Sequence, residues 1–220
     1  MEHFNLNLIQ QIAIWFLPVL LGVSLHEVAH GWVARLLGDK TAWMLGRLTL
    51  NPIKHIDPIG TILVPLLCLS LGGFVFGWAK PVPINWRYLR KPRRDAALVA
   101  AAGPIANLLM CIAWALCIKG ALLAVHAGFE QALFLVYMGE AGMILNAFLM
   151  IFNLVPIPPL DGSRVLSAFL APRWGRILDT IEPYGFLILL MLVLSKGLSG
   201  ILNPPIHAVL NSIVRVFGLY

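Results

Sequence analysis

Charge is what this sequence has least of. Across 220 residues, Asp, Glu, Lys and Arg make up 12%, about half their share in soluble domains. None occurs between residues 3 and 25. Cysteine is scarce as well. Cys68, Cys111 and Cys117 all lie in apolar runs without Cys-x-x-Cys spacing, so they read as small buried hydrophobes, and a disulfide-stapled secreted domain is excluded. There is no internal repeat, no low-complexity tract, no linker setting off a second soluble domain, and no basic leader with a small-residue cleavage site. Hydrophobic residues, by contrast, reach 60%, more than one aqueous core of this size can hide. Lipid must cover part of them, which excludes a soluble enzyme and a disordered chain. The length suits a single domain, residues 1–220. A net charge of +6 raises nucleic acid as a partner. The cations stand between apolar stretches, however, as membrane flanks do, and no nucleic-acid partner is expected.

Charge-free runs mark the spans. Residues 8–25 read as a first transmembrane helix that continues to about residue 37. Residues 96–118 are long enough to span, and so are residues 132 to about 155, where Glu140 is the one charge. A further run, 184 to about 202, is interrupted by Lys196. After Pro204-Pro205, Ile206, Val209, Leu210, Ile213, Val214 and Phe217 share one helical face. His207, Asn211 and Arg215 share the other, as in an amphipathic helix lying in the membrane interface. Residues 58–79 differ. Pro65 and Gly72-Gly73 cut them into helical pieces of roughly 10 Å, too short for about 30 Å of hydrocarbon. Residues 74–78 have a strand-like composition. A re-entrant, partly extended segment is the alternative to a span. The expected fold is an all-α polytopic membrane protein with about four to five transmembrane helices, a re-entrant segment and an amphipathic C-terminal helix.

The most expensive residues in this apolar chain stand together. His26-Glu27-Val28-Ala29-His30 follows about 18 residues compatible with hydrocarbon. Helical spacing puts both imidazoles on one face, where they can share a metal, with Glu27 beside it to take a proton from a water there. A chance match in a helix flank is the plain alternative, and the cost of inserting three ionisable groups argues against it. A catalytic metal needs a third ligand and an open position. Asp161 is the candidate. Pro156, Pro158 and Pro159 must end or unwind the preceding helix, and Gly162 permits a close backbone approach. Either Asp161 lines a wet cavity as a ligand, or it is a solvated residue on an interfacial turn.

With these residues the chain resembles the site-2 proteases, a family of intramembrane zinc metalloproteases. Residues 26–30, Gly103-Pro104-Ile105-Ala106-Asn107 and 153–162 look like the family's three signatures in the family's order. Residues 51–58 and 77–84 are similar to its short prokaryotic branch, and there is no room for a PDZ or CBS-type domain. The resemblance implies that His26, His30 and Asp161 bind one zinc ion and that Glu27 is the general base. It further implies that Asn153 contacts the substrate or the developing oxyanion, with Asn107 nearby. The substrate would be a transmembrane protein, and the location a prokaryotic cell membrane with its lipids.

Ligands of one metal must share one membrane depth. His26 lies about 27 Å along the first helix from Leu8, near its far end, and Asp161 follows the far end of the fourth apolar stretch. These ends share a face if residues 58–79 do not span. In that arrangement 13 of the 16 Lys and Arg residues lie on the active-site face, with Lys119 and Arg215 opposite. The positive-inside rule then makes the active-site face cytoplasmic and the N-terminus extracytoplasmic. The reaction expected is hydrolysis of a peptide bond within or beside a transmembrane helix, which must locally unwind. Residues 74–78 could pair with it as an added strand. A catalytically silent metal-binding scaffold or a small transporter is the competing class, though the paired inverted repeats of a transporter are not found. His55 and Asp57 occupy a Pro-rich loop, and the run from Arg87 to Arg94 reads as a headgroup anchor.

Overall fold

The computed structural model describes residues 7–63, 80–194 and 197–219. Helix α1, Leu8–Leu36, begins at a reciprocal cap: Gln10 N–H donates to Asn7 Oδ1 and Asn7 N–H to Gln10 Oε1. Its buried residues include Ile14, Pro18, Gly22, His26, His30 and Ala34. A spacing of four keeps them on one slowly turning face. Leu8, Ile9, Ile12, Phe16 and Val19 point outward, as they must where lipid is the solvent. Helix α2, Pro92–His126, starts with a proline, whose missing N–H costs nothing there. Asp95 caps its first turn by accepting from Lys91 N–H at 2.7 Å. Helix α3, Leu133–Asn153, follows a single 3₁₀ turn, Glu130–Ala132.

Among the described residues, three helices are long and apolar enough to cross a membrane: Leu8–Leu36, Pro92–His126 and Glu130–Asn153, the last counted with its 3₁₀ turn. The second outruns the charge-free stretch 96–118 at both ends. Helix formation does not stop at a charge that can reach a partner, and Lys119 Nζ donates to the Phe217 carbonyl at 3.0 Å.

The chain leaves α3 through the prolines after residue 155 and re-enters helix at α4, Asp161–Phe169, followed by α5, Pro172–Ile181. Of the apolar run expected at 184–202, the described residues form α6, Gly185–Leu194, and the first turns of α7, Gly197–Phe217. The amphipathic C-terminal segment continues α7, and its apolar face is covered by the bundle. Ile213 and Leu219 join Cys111, Ala115, Ile118, Val136, Met143 and Ala147 in the core between α2 and α3. Cys111 is fully buried and its thiol faces the Met143 carbonyl. Of residues 58–79, Pro58–Leu63 form a short π-type helix; residues 64–79, including the strand-like 74–78 and Cys68, lie outside the described residues.

From Lys80 the backbone runs extended to Asn85 as a strap over α1. Lys80 N–H donates to the His55 carbonyl, Arg47 Nη2 to the Lys80 carbonyl, and Asn85 N–H to Asp39 Oδ2. His55 and Asp57 serve this framework. His55 Nε2 donates to the Thr49 carbonyl at 2.8 Å, and Asp57 Oδ1 accepts from Ile59 and Gly60 N–H.

Candidate metal centre

The two imidazoles of α1 converge. His26 Nε2 and His30 Nε2 are 3.0 Å apart with their rings edge to face. Their outer nitrogens are committed elsewhere. His30 Nδ1 faces the Val99 carbonyl at 2.7 Å, and because a carbonyl can only accept, Nδ1 carries the proton. His26 Nδ1 meets Asn107 Oδ1 at 2.6 Å. Two main-chain acceptors fix the direction of that network. Asn146 Nδ2 donates to the Gly142 carbonyl, so its Oδ1 faces Asn107. Asn107 Nδ2 donates to Asn146 Oδ1 at 2.8 Å and to the Gly22 carbonyl, which turns Asn107 Oδ1 toward His26. Both rings therefore donate from Nδ1 and present lone pairs at Nε2.

Asp161 arrives from the other side as the first residue of α4, where the helix N-terminus favours a carboxylate. Its Oδ2 is 3.3 Å from each Nε2, and it is buried without a hydrogen-bond donor. Two lone pairs and a carboxylate oxygen turned on one another repel unless a cation lies among them. A tetrahedral ion with ligand bonds of roughly 2.0 Å separates its ligand atoms by about 3.3 Å. The observed triangle of 3.0, 3.3 and 3.3 Å is such a face. The residues fit one metal ion and leave its fourth position to water or substrate. His26, His30 and Asp161 are the one potential metal cluster among the described residues.

Glycine makes both approaches possible. A Cβ on Gly103 would lie 2.5 Å from His26 Cε1 and from His30 Nε2, so α2 can back the metal site only without a side chain there. A Cβ on Gly162 would run into the Leu154 carbonyl, and its absence lets α4 turn in beneath the end of α3.

Glu27 lines the same cavity as His26, His30 and Asp161, its Oε2 accepting from Val82 N–H at 2.7 Å. Val82 stands between Pro81 and Pro83, so its N–H is the sole main-chain donor of those three residues. A cavity of about 290 Å³ joins Glu27, His26, His30 and Asp161 to Asn153, Arg164, Val82, Ile84 and Trp86. Of the residues expected at the site, Asn153 lines this cavity, with its Nδ2 donating to the Leu149 carbonyl at 2.9 Å. Asn107 is completely buried behind His26, with its side chain committed to the network described above. His55 and Asp57 do not line the cavity.

Sequence reasoning missed Asn146, Val99, Val82, Trp86 and Arg164. An uncharged polar residue inside an apolar span was a usable signal for Asn146. Val99 and Val82 act through the main chain, which leaves no mark in side-chain chemistry.

Comparison with known proteins agrees with this geometry. The chain matches the sequence profile of peptidase family M50 over residues 14–138 and 118–195. It is 39% identical over 222 residues to the "Putative zinc metalloprotease YwhC" of Bacillus subtilis, covering 98% of this chain and 94% of that protein. It is 32% identical to the "Putative zinc metalloprotease Rip2" of Mycolicibacterium smegmatis, covering 82% of this chain and 66% of that one. The "Zinc metalloprotease MJ0392" of Methanocaldococcus jannaschii is 25% identical over 94% of this chain, which spans 48% of its length. No solved structure gives a significant match. These likenesses favour a protease over a silent scaffold or a transporter. The chain belongs to peptidase family M50 and is an integral membrane zinc metalloprotease of the site-2 type.

Proposed function

We propose that His26, His30 and Asp161 hold the zinc ion, and that Glu27 is the general base in hydrolysis of a peptide bond within or beside a transmembrane helix of a membrane-protein substrate. The observation that carries this reading is the convergence of two Nε2 lone pairs and the orphaned Asp161 Oδ2 beside the Glu27 carboxylate. When bound, zinc supplies Lewis acidity for the scissile carbonyl and the attacking water. The chain's own residues do the rest. Val82 N–H anchors Glu27 Oε2 and leaves the other carboxylate oxygen to take the proton from water and pass it to the leaving amine. Asn107 holds His26 in its metal-binding tautomer and is a positioning residue, while Asn153 faces the substrate from the cavity wall. The whole chain acts as one membrane-embedded unit.

Sidedness follows from depth. The ligands come from the C-terminal half of α1 and from the segment just after α3, and the excess of cations lies toward those ends. The site therefore opens near the cytoplasmic face, with the N-terminus of α1 outside.

Metal content tests the ligand assignment. Purified wild type and Glu27→Gln are expected to hold one zinc per chain, and His26→Ala, His30→Ala and Asp161→Ala to lose it. Full zinc in Asp161→Ala would remove Asp161 from the ligand set.

A further inference from the structure

Arg164 is a cation in the wall of the catalytic cavity that neither the metal nor the base requires. It stands three residues beyond Asp161, so the two share one face of α4. Its guanidinium carbon lies 4.4 Å from the ring centre of Trp86, which also lines the cavity. Its Nη2 donates to Glu182 Oε1 at 2.6 Å, and Glu182 does not line the cavity. An aromatic ring and one carboxylate thus fix the guanidinium while leaving most of its five N–H donors unspent.

Several donors of the wall around it are missing or spent. Pro81 and Pro159 have no N–H, Val82 N–H is committed to Glu27, and the amide of Asn153 gives one of its donors to Leu149. A substrate helix arriving here must unwind before a carbonyl can be attacked. Each unwound residue then exposes a carbonyl oxygen that has lost its helical partner. Because Glu182 already balances the charge of Arg164, the guanidinium suits a neutral carbonyl better than a second carboxylate.

We infer that Arg164 anchors the substrate by donating to main-chain carbonyl oxygens of the unwound segment next to the scissile bond, with Trp86 and Glu182 holding the guanidinium plane. This rests on reading the cavity as the proteolytic site.

The experiment uses full-length protein in liposomes with a tagged single-span substrate that the wild type cleaves, alongside a second substrate whose acidic residues near the cut are replaced by neutral ones. Arg164→Ala is expected to lower kcat/KM roughly tenfold or more, mainly through KM and equally for both substrates. Arg164→Lys should recover part of the loss, and zinc content should stay at the wild-type level. Glu182→Ala, which removes one of the two groups holding the guanidinium, should raise KM by clearly less than Arg164→Ala does, because the guanidinium remains on Trp86. Cross-linking to substrate in the Glu27→Gln background reads binding without turnover, and adding Arg164→Ala there should weaken it by a similar factor.

A loss in Glu182→Ala equal to that in Arg164→Ala would make the pair a structural strut and overturn the inference. Loss of zinc in Arg164→Ala, or an effect confined to the acidic substrate, would overturn it as well. Continued cleavage by Glu27→Gln would instead refute the reading of the site, and the cross-linking result would still decide the role of Arg164.

Discussion

At the scale of single residues, the chemistry depends on which nitrogen of each histidine is free. His26 and His30 are equivalent in the sequence but are oriented differently, one by an asparagine side chain and one by a main-chain carbonyl. Asn107→Ala should lower zinc affinity about 10–100-fold, measured by competition with a chromogenic chelator. It should also destabilise the protein by about 1–3 kcal/mol, because Asn146 Oδ1 loses its buried donor. Asn107→Asp, which can still accept from His26, should recover much of the affinity. No loss in Asn107→Ala would show that the ring needs no help. The pair His26 and His30 was legible because two ligands four residues apart belong on one helix. The partners behind them were not, since Asn107 lies 81 residues from His26 in sequence and Val99 contributes a carbonyl that any residue carries. The same holds for the Val82 N–H on Glu27.

At the scale of elements, the site exists because α1 and α2 pack closely enough for Gly103 to touch both rings. Gly103→Ala should drive the imidazoles off their positions and destabilise the protein by about 1–3 kcal/mol, the usual penalty for overpacking, with loss of bound zinc. Gly120 is on the same helix with nothing within 4 Å of its would-be Cβ. Gly120→Ala should therefore be stabilising, by about 0.5–1 kcal/mol. Thermal unfolding in detergent with a zinc assay checks both, and similar effects at the two glycines would contradict the close approach. Element boundaries were partly legible. The start of α1 at Leu8 was legible as the start of the apolar run, and the end of α3 from Pro156 and its neighbours. The ends of α2 were not, because a charge-free window stops at Asp95 and Lys119 while the helix does not.

At the scale of the whole molecule, the ligands come from opposite ends of the chain's spanning region and meet at one depth. That places the C-terminal ends of α1 and α3 on the same side, with the N-terminal end of α2 between them. Single cysteines at Lys40, Arg90 and Val125 in a cysteine-free background test the orientation with an impermeant thiol reagent. Positions 40 and 90 should label from the cytoplasmic side and position 125 from the outside. Labelling of position 90 from outside alone would invert the topology. On the proposed ligand assignment metal and fold would also be coupled, because an ion there would cancel repulsion among three inward-facing acceptors. Chelation should lower the melting temperature, and zinc added back should restore it. A site at 100 times its Kd contributes about 2.7 kcal/mol. An unchanged melting temperature after complete removal of the metal would mean that the triangle of ligands is stable by itself.

The most direct measurement is cleavage of a panel of tagged single-span substrates by purified protein in liposomes. Wild type and Glu27→Gln would be run side by side, with and without a zinc chelator. Cleavage by the wild type, lost in Glu27→Gln although that variant keeps its zinc, and lost in the chelated wild type, is the expected result. Cleavage that persists in zinc-loaded Glu27→Gln would contradict the assignment of the base, and persistence after complete removal of zinc would contradict the metal centre.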